Sequence, residues 1–343
     1  MTTRRNFLKN TTMLAAGLGV SPLLSSSPLR SYQKEEVING KVRIAVIGVG
    51  MGCRDLQGAL TDNPWVHCVG MCDVNKVRLE EQLARFKKDF PEQTVSIKAY
   101  TDFREVLANK EIDGVIIATP DHWHPYIFAE ALKAGKAIYV EKPVGNSISE
   151  CNAMMDFQKK YKGVVTTGLW QTSQRYFRAA NEILKSGVLG DVYKVQLWLC
   201  QSTNPRPSVE DSEAPSTLDY DMWLGPAPER PFNNSRFRGW RGFWDYGGGQ
   251  QTDWGVHWID SAFDGLKALG LCDREYPDAV FSIAYKDPAS FNETPSCQTS
   301  IFQYKNFHIE WAQQVAYLYN RNQGVAWVGS KATLVCNREG YEL

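Results

Sequence analysis

Gly48-Val49-Gly50-Met51-Gly52 follows directly on the apolar run Ile44, Ala45, Val46 and Ile47, and no other segment of the chain restricts the fold as much. A buried strand ending in closely spaced glycines can turn tightly into a helix whose first amides face an anion, the arrangement that cradles a pyrophosphate. The third glycine of the usual fingerprint is replaced by Cys53, still small enough for close helix-to-strand packing. Asp73 ends the next apolar run, 23 residues beyond Gly50. A carboxylate there accepts hydrogen bonds from a ribose diol and repels a 2′-phosphate. These residues imply NAD in preference to NADP, with Arg78, one helical turn on, working against that preference.

The pattern around this turn repeats. Short β-branched runs at residues 42–47, 66–72, 97–99, 114–118, 137–140 and 164–167 alternate with helical stretches that reach residue 61, cover 77–90, 103–109 and 125–134, and restart at 149. Strand, helix, strand at this spacing predicts an α/β fold with a Rossmann-type doubly wound parallel sheet over residues 41–165. Residues 166–343 read differently, with strands at 192–200, 279–286, 299–304, 307–313 and 326–328 and few helices between them. That predicts an α+β domain with an open, mostly antiparallel sheet. Residues 202–249 are rich in Pro, Trp, Arg and Gly and too long for a passive loop, which makes them the candidate substrate-facing segment.

Arg4-Arg5, within Thr3-Arg4-Arg5-Asn6-Phe7-Leu8-Lys9, has the form of a twin-arginine signal, which addresses folded cargo for export. Residues 1–30 are read as that signal, and the protein as periplasmic cargo of the twin-arginine machinery. The apolar stretch 11–24 is too short to span a bilayer, while the lack of a clean Ala-x-Ala cleavage site leaves tethering by an uncleaved signal open. Free NAD is not expected outside the cytoplasm, so the cofactor is expected to be tightly held and restored within each cycle or by a second substrate. The formal charge is zero, but the first 30 residues hold four basic groups and no acid, and without them 34 basic residues face 38 acidic ones. That balance offers no electrostatic case for nucleic acid. Eight scattered cysteines, Cys53, Cys68, Cys72, Cys151, Cys200, Cys272, Cys297 and Cys336, form neither a disulfide framework nor a zinc pattern, and most are read as buried thiols.

Three further motifs carry a resemblance. They are Ala118-Thr119-Pro120-Asp121-His122-Trp123-His124, Glu141-Lys142-Pro143, and Gly247-Gly248-Gly249-Gln250-Gln251-Thr252-Asp253-Trp254-Gly255-Val256-His257. With them the chain after residue 40 resembles the Gfo/Idh/MocA family of sugar and cyclitol oxidoreductases. Trp223-Leu224-Gly225-Pro226-Ala227-Pro228 and the segment from Trp240 to Asp245 look like those of its exported bacterial members. The resemblance implies a cofactor site of Gly48, Gly50, Met51, Gly52, Asp73, Thr119, Pro120, His124, Glu141, Lys142 and Gln171. It also implies a catalytic set of Lys142, Asp253 and His257, a cis bond before Pro143, and a homo-oligomer formed through the open sheet face. Gln171, Gln174 and Arg175 follow the sixth strand at a crossover that lies beside nicotinamide and sugar in the family.

Oxidising a secondary alcohol needs a proton acceptor and a hydride acceptor. Neutral His257 can take the proton, Lys142 can stabilise alkoxide character on the same oxygen, and Asp253, four residues before His257, can orient the group. Nine of the eleven tryptophans lie beyond residue 150, and Trp240, Arg241, Trp244 and Arg175 are the candidates to stack on and hydrogen-bond a saccharide. Three functions follow. The first is oxidation of a sugar or glycoside hydroxyl, C3 among the positions considered. The second is a redox-neutral NAD-dependent glycosidase working through a keto intermediate and elimination. The third is a non-catalytic sugar-binding protein.

Overall fold

The computed structural model describes residues 41–50, 63, 65–91, 97–200, 206–272, 276–313 and 317–343. The twin-arginine segment, Met51, Gly52, Cys53 and the helix expected after Gly50 lie outside them. Among the described residues no helix is long and apolar enough to cross a membrane.

The chain divides into two compact units, the first made of residues up to Gly168 with Asp211–Phe232, the second of Leu169–Glu210 with Asn233–Leu343. The single boundary expected near residue 165 therefore omits a return. Residues 211–232, expected in the substrate domain, pack on the dinucleotide unit because Leu218, Trp223 and Leu224 bury their side chains there.

In the first unit, strands β1 (Val42–Ile47), β2 (Val66–Cys72), β3 (Lys98–Tyr100), β4 (Gly114–Ile117), β5 (Ala137–Val140) and β6 (Val165–Thr167) form one sheet. Its order is β3-β2-β1-β4-β5-β6, and every pairing is parallel. Helices α1 (Lys76–Asp89), α2 (Phe103–Ala108), α3 (His124–Lys133) and α4 (Ile148–Tyr161) cover it. The period of two along each strand sends side chains to opposite faces. Ala45, Ile47, Val115 and Ile117 join the cluster of Phe103, Ile127, Phe128 and Met154, whereas Val46, Met71 and Ile116 join Leu79 and Phe86 of α1. Caps set the helix starts: Asn75 and Asp102 accept from the third and second helical amides, and Ser147 with Glu150 forms a capping box.

In the second unit, α5 (Arg175–Lys185) precedes β7 (Val192–Leu199), and α6 (Val256–Ala268) precedes β8 (Ala279–Tyr285), β9 (Cys297–Gln303), β10 (His308–Gln313), β11 (Gln323–Gly329), β12 (Thr333–Cys336) and β13 (Tyr341–Glu342). These strands form a sheet ordered β13-β12-β11-β7-β10-β9-β8, antiparallel except where β10 runs parallel to β7. Helical spacing puts Phe177, Ala180 and Leu184 of α5, and Trp258, Ala262 and Leu266 of α6, against Val195, Leu197, Trp311, Val325 and Trp327 on one sheet face. Cys68, Cys72, Cys272 and Cys336 are buried thiols, and burial raises the pKa of Cys68 and Cys336 to about 12.

Arg43 ties β1 to the turn before β4, its Nη2 donating to Asp113 Oδ1 at 2.8 Å and its Nε to Oδ2 at 2.9 Å. Burial alone would raise the Asp113 pKa, but the hydrogen bonds and charge of Arg43 outweigh it and hold the carboxyl below its ordinary range. The folded pKa thus lies below the unfolded value of about 3.9, so this stabilisation is complete above that pH and fades as pH falls through the folded pKa. Asp113→Asn is expected to cost about 1–3 kcal/mol at neutral pH. In urea denaturation its gap from wild type should narrow below about pH 4, and a gap of constant size across that range would contradict the assignment.

Candidate active site

The turn after β1 is built by close backbone approach. Gly48 has φ +89°, and a Cβ there would lie 2.6 Å from the Ala118 carbonyl carbon and the Thr119 amide, so neither the conformation nor the space admits a side chain. Its amide donates to Cys72 O at 2.8 Å, locking the turn to the end of β2. Asp73, 8% exposed, accepts from Val49 N at 3.0 Å through Oδ2 and from Asn75 N at 2.9 Å through Oδ1. Burial raises its pKa against the lowering pull of these amides and of Arg78. Arg78 Nη1 lies 3.8 Å from where a Gly50 Cβ would stand, so a cation does flank the Gly50 turn as well as Asp73. The Thr119 hydroxyl is buried and has no hydrogen-bond partner among the described residues. A tight glycine turn, a carboxylate at the end of β2 and an unused hydroxyl after β4 together fit a dinucleotide. Pro120 leads into the short helical turn Asp121–Trp123, its carbonyl accepting from Trp123 N at 3.0 Å.

His124 is 1% exposed, with Nδ1 2.7 Å from Pro143 O and Nε2 2.9 Å from Thr119 O. It ties the turn after β4 to the turn after β5, a positioning role for a residue expected beside the cofactor. The Lys142-Pro143 bond is cis. Glu141 accepts from Tyr139 OH at 3.3 Å and from Lys142 N at 3.2 Å, which turns its carboxylate back on the end of β5. His122 is buried with Nε2 3.0 Å from Trp223 O, so its ring serves the returning segment.

On the second unit, Asp253 and His257 straddle a junction: Gln251–Gly255 is one π-helical turn, and α6 starts at Val256. A π turn in place of a continuous α-helix is a feature that recurs at functional sites. Asp253 Oδ1 pairs with Arg241 Nε at 3.1 Å, and the Arg241 guanidinium sits 4.2 Å from the Trp240 ring centroid. A candidate orienting carboxylate and two candidate sugar contacts therefore form one cluster. His257 is 4% exposed, and the Trp170 ring packs edge-on at 5.9 Å. Trp244 is 56% exposed, its backbone amide bonded to Glu293. Arg175 lies exposed over the ring of Tyr176 and donates to its hydroxyl, the geometry of a solvated helix-start charge.

Gln171 departs from expectation. It is fully buried, its Nε2 donating to Ser261 Oγ at 2.9 Å and His257 O at 3.3 Å, and its Oε1 accepting from Arg338 Nε at 2.9 Å. An amide with both ends engaged inside the second unit supports the His257 turn. Arg338, which sequence reasoning missed, also faces the rings of Trp170 and Trp254 at 4.8 and 4.7 Å. No local motif announces it, because its partners lie far away in the chain. Among the described residues no group of three or more His, Cys, Asp or Glu side chains is arranged to hold a metal.

Two family models match this chain: the NAD-binding Rossmann fold of the GFO/IDH/MocA oxidoreductase family over residues 42–169, and the C-terminal alpha/beta domain of that oxidoreductase family over 178–267. Together they span more than half of the chain, and the chain belongs to this family. It is similar to an alpha-N-acetylgalactosaminidase of Tannerella forsythia, 33% identical over 43% of this chain and 34% of that protein. It is 27% identical to a glycosyl hydrolase family 109 protein of Parabacteroides distasonis over 55% of this chain and 43% of that protein. The matches thus span less than half the length of these curated relatives. Among solved structures, the WlbA dehydrogenase from Bordetella pertussis in complex with NADH and UDP-GlcNAcA shares the fold at TM-score 0.64 and 17% identity, over 86% of this chain and 79% of that one. Levoglucosan dehydrogenase in complex with NADH and L-sorbose does so at 0.64 and 19%, over 87% and 74%.

A ribose diol bonded to the Asp73 carboxylate contributes hydrogen bonds to a charged acceptor. Asp73→Ala is therefore expected to weaken NADH binding by about 10–100-fold, followed by fluorescence titration. Binding within about twofold of wild type would place the ribose elsewhere.

Proposed function

We propose that this chain oxidises a secondary hydroxyl of a sugar or glycoside. The observation that carries the proposal is the Arg241–Asp253 pair beside Trp240 and one turn before His257, a polar and aromatic cluster on the second unit of an NAD-binding oxidoreductase. Bound NAD supplies the acceptor for the hydrogen that leaves carbon. His257 takes the hydroxyl proton, Lys142 stabilises the alkoxide character that develops on oxygen, and the Arg241–Asp253 pair orients a neighbouring hydroxyl. Trp240 offers an aromatic face to the apolar side of the ring.

The similarity to an alpha-N-acetylgalactosaminidase and a family 109 glycosyl hydrolase favours a second reading on the same residues. There, oxidation acidifies the neighbouring C–H, the aglycone is eliminated, water adds, and the hydrogen returns with no net redox change. Release of free aglycone from a glycoside separates this from net oxidation.

Protein purified without added cofactor is expected to show a rise in reduced-nicotinamide absorbance with one class among a panel of sugars and glycosides. His257→Ala should retain NAD yet slow that rise by about 10²–10⁴-fold. A flat trace with folded, NAD-retaining protein and no aglycone release would contradict both readings.

Export through the twin-arginine route is part of the proposal, supported by Arg4-Arg5. Replacing both arginines with lysine should leave the protein in the cytoplasm on fractionation, and unchanged periplasmic yield would refute the route.

A further inference from the structure

Trp223-Leu224-Gly225-Pro226-Ala227-Pro228 has no part in the chemistry above, and it belongs to the dinucleotide unit. We propose that the returning segment Asp211–Phe232 is a fixed strap that walls the adenosine end of the dinucleotide and slows its release. The proposal rests on the reading that the first unit binds NAD.

One end of the strap is stitched to the turn that carries Asp73. An antiparallel bridge pairs Asn75 with Leu218, with Lys76 N donating to Thr217 O at 2.9 Å and Asp219 N to Val74 O at 3.0 Å. Those bonds hold the three residues after Asp73, and Asn75 N is itself bound by the Asp73 carboxylate. The side chain of Asp219 then caps the one-turn helix Tyr220–Leu224, and its charge is within electrostatic reach of Arg104 after β3.

The other end is stitched to the turn after β4. Trp223 O accepts from Trp123 Nε1 at 3.0 Å and lies 3.0 Å from His122 Nε2, and the Trp223 ring packs edge-on against His122. Gly225 has φ +47°, and the Trp123 indole comes within 2.1 Å of where a Cβ would stand, so only glycine lets the strap lie this close. Leu218, Trp223 and Leu224 are buried, and Met222 packs on the core beneath α2 and α3.

The strap is thus tied to the turns after β2 and β4, the strands on either side of β1, at the edge outside which ligands of open α/β sheets sit. A wall held by backbone hydrogen bonds and buried side chains is ordered before the ligand arrives, which removes an ordering cost from binding. It would also explain how a cofactor stays with a protein expected to work where none is free.

Two halves of the cofactor separate this idea from the general one. Calorimetric titration of the full chain with ADP-ribose and with nicotinamide mononucleotide should show Gly225→Val, which drives a side chain into Trp123, weakening ADP-ribose by about tenfold or more and leaving the mononucleotide within about twofold. As a readout independent of any variant, hydrogen exchange at the Lys76 and Asp219 amides of the wild-type chain should slow by about fivefold or more with ADP-ribose and not with the mononucleotide. Folded Gly225→Val protein that binds ADP-ribose as wild type does, or unchanged exchange at those amides in the saturated complex, would overturn the strap. A wild-type chain that binds neither probe would remove the cofactor reading along with it.

Discussion

The approach of the Gly48 backbone to the Ala118-Thr119 peptide is the constraint on which the dinucleotide unit depends. At a separation that excludes even a methyl group, the turn after β1 crosses the end of β4 and is pinned to the end of β2 by its own amide. That crossing puts the turns after β1, β2 and β4 at one sheet edge. His124 extends the arrangement to the turn after β5 by bridging Thr119 and Pro143. Hydrophobic burial holds the sheet together, but these backbone contacts decide where a ligand can lie. A side chain at residue 48 would disturb all of them at once.

The second unit solves a comparable problem with side chains. The carbonyl of His257 is met by the Gln171 amide and the Ser261 hydroxyl, and Gln171 is held in turn by Arg338. Fully buried Gln171 is tolerable because both ends of its amide are hydrogen-bonded. The guanidinium of Arg338 is accommodated by indole faces. The outcome is a histidine fixed through its backbone, next to a π turn that displays Asp253 toward Arg241.

Elements whose stability is local were legible in the chain itself. β2 and β5 begin and end where the short β-branched runs predict, and α4 starts at Ile148, one residue before the expected 149, where Ser147 and Glu150 cap it. Asp73 is similarly legible because strand length fixes its distance from Gly50. The strap was not legible: proline, tryptophan and glycine between residues 202 and 249 mark an irregular segment, but only the burial of Leu218 and Trp223 decides which unit it joins. The hydrogen bonds of Gln171 were not legible for a related reason: its position after β6 suits a cofactor contact, and its partners Ser261 and Arg338 are 90 and 167 residues away.

In the proposed reaction a carbon-bound hydrogen of a sugar passes to nicotinamide held by this fold. Offering a saccharide deuterated at each ring carbon in turn, and recovering the nicotinamide for mass spectrometry, tests it most directly. With the reaction quenched within a single turnover, before any label returns to the sugar, the nicotinamide should carry deuterium from one ring position, in net oxidation and in a redox-neutral cycle alike. Nicotinamide that stays unlabelled from every position, in protein shown to bind the same saccharide, would contradict it.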